Sequence, residues 1–226
     1  MTERDAEIEI VESRFQLEQL ALDRDLAGRR MCGFSAVQIG LAGADLESVN
    51  LDRVSLNRAN CEGARLEHST LRQVDLRNSR WPEALWNRVI ARDSDLTEIG
   101  LEAAEIIGCE LASLRMPRAV LRGARLQHTE FSEVELLKAD FSRAVVMRCR
   151  FVGYRDAAAS LTRAVFDGAA LIELDLQHTN LFSASFKNAL LVRCDLRGAN
   201  LCDADLRGAK LIDCRLEGTD TEGAVV

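Results

Sequence analysis

Residues 194–218 read CDLRGANLCDADLRGAKLIDCRLEG, and the fold follows from this stretch. Leu196, Leu201, Leu206, Leu211 and Leu216 recur every five residues. Two places before them stand Cys194, Ala199, Ala204, Ala209 and Cys214, with polar residues between. Stepping back by fives to Leu41 gives 36 positions, of which 28 are Leu or Phe. The row two residues earlier, Ile39 to Cys214, holds 31 Ala, Cys, Ser, Thr or Val in its 36. A period of five fits neither a helix nor an ordinary strand. It fits a coil that turns a corner every five residues, so that four sides close a square and successive squares stack ~4.8 Å apart as parallel ladders. Both rows then point inward, one large and one small residue per side, as dense packing requires.

The unit of small residue, polar, Leu, polar, polar resembles the pentapeptide-repeat family, whose consensus is A(D/N)LXX. The resemblance covers about residues 31–218 and implies an all-β fold, a right-handed quadrilateral parallel β-helix of about nine coils. Residues 1–30 lack the period and are expected to form a cap, with Ile8, Val11, Phe15, Leu20 and Leu22 supplying an apolar helical face or strand over the first coil. Residues 219–226 are expected to be a short polar tail.

Composition narrows the function classes. The formal net charge is −7. Residues 1–30 contribute −3 and the rest −4, so the solenoid is nearly balanced and lacks the basic footprint of a nucleic-acid binder. No apolar run approaches the ~20 residues that span a bilayer, and the acidic N-terminus lacks the features of a signal peptide. Seven cysteines without a CxxC pair suggest neither a disulfide framework nor a zinc site. A cytoplasmic protein with buried, reduced thiols is expected.

Two breaks interrupt the pattern. At 80–92 (RWPEALWNRVIAR), Trp81 and Trp86 enter the large row and Ala91 follows. Two indoles would overfill a square interior, and Pro82 cannot donate to a ladder. Either the coil bulges there or a short segment leaves the wall, as a recognition element with an aromatic anchor or as a kink that only repacks. At 153–160 (GYRDAAAS), Tyr154 takes a small slot and Asp156 would point inward, which an unpaired carboxylate resists. A loop or distortion is expected over 153–158, with Tyr154, Arg155 and Asp156 as recognition residues or as part of a tolerated insertion.

No catalytic, cofactor or metal site emerges. His68, His128 and His178 all occupy one outward repeat position. At 20 residues per coil, His68 and His128 share a face about 14 Å apart, with His178 on the opposite face. Cys109, Cys149, Cys194 and Cys214 fall in the small inward row and Cys61 in the large one. Cys32 and Cys202 are expected outward and open to reaction. Asp75, Asp95, Glu135, Asp175 and Asp195 would share a face, interleaved with Arg77, Lys138 and Arg197. Asp or Asn at that slot commonly bonds turn backbone, a role that competes with DNA mimicry.

One feature exceeds the needs of the scaffold. Val152, Ile172, Val192 and Ile212, spaced by 20, would form an outward ladder of β-branched residues, with Leu190 beside Val192 and Phe182 on the adjacent side. Two explanations stand: a binding face, since monomers seldom expose contiguous apolar patches, or the suitability of such residues for strands. If residues near 156 loop out, Val152 slips off this face while the other three stay aligned. The expectation is a non-enzymatic protein-binding solenoid that occupies a partner's surface. The family resemblance implies a bacterial protein, as an inhibitory, immunity-type or secretion-associated binder of a toxin or other protein. The alternative it implies is a DNA mimic that binds gyrase and gives quinolone or toxin protection. A homodimer is open, and no cofactor, membrane or direct nucleic-acid partner is expected.

Overall fold

The computed structural model describes residues 9–23, 25–153 and 159–226. Each five-residue unit makes one side of a coil, and the corner forms where the second residue after the central Leu or Phe takes positive φ. Arg58 (φ 57°), Asn78 (57°) and Lys138 (57°) do so as readily as Gly63 (63°). On the second and third sides the corner closes as in a type II turn: the amide of Ala59 donates to the carbonyl of Leu56 at 3.0 Å across Arg58. Left-handed backbone strains a residue that carries a Cβ, and ladder bonds to the next coil offset the strain. The amides of Leu56 and Arg58 donate to the carbonyls of Asp75 (2.8 Å) and Arg77 (2.9 Å), and Asp75 donates back to Val54 at 3.0 Å.

Stacking these units gives four faces. The first is an eight-stranded parallel sheet that begins with Ile10–Val11, Arg30–Cys32 and Asn50–Asp52 and runs to Arg150–Val152. The fourth is a second such sheet, from Arg65–Glu67 to Lys210–Ile212. The second and third are columns of single bridges, Ser35 to Asp220 and Gly40 to Val225. The all-β parallel solenoid expected from the period is what forms, with about ten turns where the sequence suggested nine. Part of the difference lies in residues 219–226. Rather than a tail, they continue the wall: Leu201 and Leu206 donate to the carbonyls of Asp220 (2.7 Å) and Val225 (2.6 Å).

At the other end, β1 (Ile10–Val11) pairs with the Arg30–Cys32 strand, and α1 (Arg14–Asp23) follows it. Leu17 is fully buried and Leu20 partly, whereas Phe15 and Leu22 are 70% and 78% exposed, so the helix presents a different face from the one expected. Ile8 lies outside the described residues.

The two inward rows make one continuous core from Val11 to Ala204. Its upper half is organised by stacked rings: Phe131 on Phe151 (centroids 4.7 Å apart), and Phe141 on Phe166 on Phe186 (5.0 Å each). Stacking is the natural packing of identical residues in successive coils, because the rise nearly matches the spacing of offset rings.

The first break does not leave the wall. Trp81 and Trp86 are inside, 0% and 1% exposed, and the strands on either side keep the step of 20 (Arg65 to Leu85 to Glu105). Volume is balanced locally. Cys61 and Ala91, both small for the large row, occupy the coil beneath Trp81 and the side after Trp86. The indoles meet edge to face at 5.4 Å, and Trp81 Nε1 donates to Ser79 Oγ at 3.0 Å. Pro82 fits because residues at its position, just after the central one, donate no ladder amide on this face; its carbonyl accepts from Gly63 at 2.9 Å. The protruding recognition element is thereby overturned for Trp81 and Trp86.

The second break changes the register. Glu135, Asp140, Val145 and Arg150 pair with Ser160, Val165, Ala170 and Asp175, a step of 25 where every other coil steps 20. Residues 154–158, and with them Tyr154, Arg155 and Asp156, lie outside the described residues. The extra five residues displace every later position by one face from where a constant step would put it.

Candidate functional site on the fourth face

The displaced register decides which outward residues share a face. Val152 pairs with Ser132 on the first face. Ile172 pairs instead with Met147 below and Val192 above, and Val192 with Ile212. The ladder on the fourth face is therefore Met147, Ile172, Val192 and Ile212, with Val152 one face away. Phe182 lies on the second face, opposite the ladder rather than adjacent to it, because ten residues from Ile172 span two sides. Met147 was missed because a constant step of 20 places it elsewhere.

Beside the ladder, on the other edge of the same strands, run Val145, Ala170, Leu190 and Lys210. The ladder row is apolar over four strands and the second row over three, with Lys210 closing it above and Arg125 and Gln127 bounding both below. Leu190 is 36% and Ile212 46% exposed, Lys210 is exposed as well, and Val145, Met147, Ala170, Ile172 and Val192 are half-buried. Along its corner with the first face stand Arg148, Glu173, Arg193 and Asp213, alternating in sign. Arg148 Nε lies 2.7 Å from Glu173 Oε2, and Arg193 bonds the other oxygen. Hydrogen bonds from Arg148 and then Arg193 hold the Glu173 carboxyl below the usual carboxylate range.

The acidic residues do not form one row. Asp75, Asp95 and Glu135 stand on the second face with Arg115 among them, while Asp175 and Asp195 stand on the first between Arg150 and Arg215. Most carry the corner role. Asp75 Oδ1 accepts from the Arg77 amide at 3.1 Å and Asp195 Oδ1 from the Arg197 amide at 3.2 Å, and the same arginines pair with them through side chains at 2.8 and 2.7 Å. His178 follows the shifted register onto the first face, adjacent to the corner of His68 and His128 rather than opposite.

Burial governs the thiols. It pushes Cys109, Cys149 and Cys194 up to about 11, and Cys61, wholly enclosed, higher still. Cys202, expected to be open to reaction, is half-buried, and a hydrogen bond to Asp220 raises it further from the thiolate. Cys32 is likewise half-buried. Among the described residues no group of His, Cys, Asp and Glu is placed to hold a metal ion, and no helix is long and apolar enough to cross a membrane.

A family model for pentapeptide repeats matches eight copies over residues 41–73, 116–152, 157–188 and 179–218. The chain belongs to the pentapeptide-repeat family. Two structures of QnrB1, described as a plasmid-mediated fluoroquinolone resistance protein, superpose with TM-scores of 0.57. One is 18% identical, covering 92% of this chain and 88% of that one; the other is 16% identical, covering 87% and 92%. HetL, a pentapeptide-repeat protein involved in heterocyst differentiation regulation from the cyanobacterium Nostoc sp. strain PCC 7120, is 23% identical over 85% of this chain and 86% of that one, with a TM-score of 0.29. At these identities the likeness to QnrB1 is one of fold. A search of curated proteins found no match.

Proposed function

We propose that this protein is a non-enzymatic binding scaffold that holds a partner protein against its fourth face. The observation that carries this reading is the apolar block built on Met147, Ile172, Val192 and Ile212, which the solenoid displays flat and in register. A monomer gains nothing from so contiguous an exposed patch, and a preformed rigid face binds with little ordering cost. An inhibitory or neutralising role, as an immunity-type or secretion-associated binder in a bacterium, fits a scaffold that works by covering a surface. The test is affinity capture with mass spectrometry, comparing wild type with the Ile172→Arg/Val192→Arg double variant. One protein captured by wild type and lost with the variant supports the reading. An unchanged set of captured proteins rejects this face.

The second reading is topoisomerase protection, favoured by a rod that superposes on QnrB1 along most of both chains. Weighing against it, the acidic residues divide between two faces and each lies beside an arginine, Asp95 and Glu135 sharing Arg115. A supercoiling assay in which the protein neither inhibits gyrase nor rescues it from a quinolone removes this reading.

A further inference from the structure

The fourth face is complementary to itself. Facing two copies through a two-fold axis that runs along the strand direction, between the Ala170–Ile172 and Leu190–Val192 strands, keeps the same corners together and reverses the order of the coils. Arg148 then meets Asp213 of the other copy, and Glu173 meets Arg193. In the same arrangement Ile172 faces Val192, Met147 faces Ile212, the small Ala170 faces the large Leu190, and Val145 faces Lys210, the one charged member of the two rows. A two-fold axis parallel to the solenoid fails this test. It brings the corner of Arg148, Glu173, Arg193 and Asp213 against that of Arg143, Gly168, Asn188 and Gly208, with no opposite charge for Glu173 or Asp213.

We infer that the fourth face takes a second copy of this chain, in an antiparallel isologous dimer centred between Ile172 and Val192. The inference rests on the reading of this face as a binding surface and names an occupant for it. An isologous interface requires a patch that matches its own two-fold image, and the alternation Arg, Glu, Arg, Asp has that property in the antiparallel sense alone. The apolar rows supply the attraction, while rim charges fix orientation and register. Four coils at ~4.8 Å make a block about 19 Å tall, small beside the ~800 Å² per partner of a standard interface. The dimer is therefore weak and concentration-dependent. It also masks the face that a partner protein would use, so self-association and partner capture compete.

The test uses a charge-inverted chain, Arg148→Glu/Glu173→Arg/Arg193→Glu/Asp213→Arg, which keeps the alternation within each molecule and hence its internal ion pairs. Sedimentation velocity from micromolar to millimolar protein is expected to show wild type and the inverted chain each self-associating. Mixed, with one of them fluorescently labelled, they do not co-assemble, because every rim pair becomes like-charged. Arg193→Asp alone weakens the dimer about tenfold or more, and Ile172→Arg/Val192→Arg abolishes it. A wild type that stays monomeric throughout overturns the dimer while leaving partner capture as a separate result. Free co-assembly of the two chains overturns the antiparallel register. Dimers that survive the Ile172/Val192 change place self-association on another surface and overturn the inference as well.

Discussion

Met147 and Ile172 are in-register neighbours on adjacent strands although 25 residues separate them, whereas every other rung of this column spans 20. This one pairing sets the surface chemistry of the C-terminal half. It carries Ile172, Val192 and Ile212 above Met147 rather than above Val152, and so places Val145 rather than Arg150 beneath Ala170 in the flanking row.

Inward and outward positions one unit apart should respond very differently. Leu176 is 1% exposed, and Leu176→Ala is expected to cost about 2–5 kcal/mol. Ile172→Arg, on the outer side of the adjacent face, is expected to stay within about 0.5 kcal/mol. Equilibrium unfolding in denaturant measures both. A large loss for Ile172→Arg would mean that its side chain is needed by the core.

The tryptophan coil is balanced by its small neighbours. Ala91→Leu adds volume beside Trp86 and should destabilise by about 1–3 kcal/mol, and combining it with Trp86→Leu should recover part of that loss. A double-mutant cycle reads the coupling, and strict additivity would mean that the two positions do not share space. Both indoles being enclosed, the emission should be blue-shifted and poorly quenched by iodide.

Thiol labelling separates the cysteines by burial. At neutral pH an aromatic disulfide reagent should leave Cys61, Cys109, Cys149 and Cys194 unmodified in the folded protein, since burial disfavours their thiolates. In denaturant all seven should react. Prompt labelling of Cys194 in the native state would contradict its enclosure.

Acid should weaken the fold from a definite point. Arginine hydrogen bonds lower the carboxyls of Asp75, Asp195, Asp205 and Glu173, from Arg77, Arg197, Arg207 and Arg148 first in each case. A depressed native value means that the unfolded chain binds protons more tightly. The stabilisation is therefore complete above the unfolded value of about 4 and is lost as pH falls through the native ones. Urea midpoints should be level from neutral pH to about 5 and fall below about 4, with a shallower fall in Arg77→Ala/Arg197→Ala. A variant with an unchanged acid limb would show that these pairs do not link folding to pH.

The repeat was legible because the two inward rows carry almost the whole packing problem: Leu176, Ala184 and Cys194 sit where their position in the unit puts them. The tryptophans are hard to place from sequence because their volume is balanced across sides and coils, not within one side. Trp81 and Trp86 look too large until Cys61 and Ala91 are read as their complements in adjacent coils and sides. The faces were misread for another reason. Position in the unit is local, but position on the circumference accumulates along the chain, so one segment of extra residues moves His178 and Asp175 to other faces than a constant step gives and sets Met147, not Val152, beneath Ile172, while the described inward residues keep their rows. The cap was the least legible part, since α1 obeys no repeat and buries Leu17 rather than Phe15.

Pro82 and Pro117 occupy the slot just after the central residue, where on the second and third faces the amide is left out of the ladder. A slot that accepts even proline places almost no demand on the side chain it carries. These columns therefore act as a pegboard at fixed pitch, on which outward residues can be exchanged one by one while the wall behind them stays the same. A lineage built this way can change its surface far faster than it changes shape.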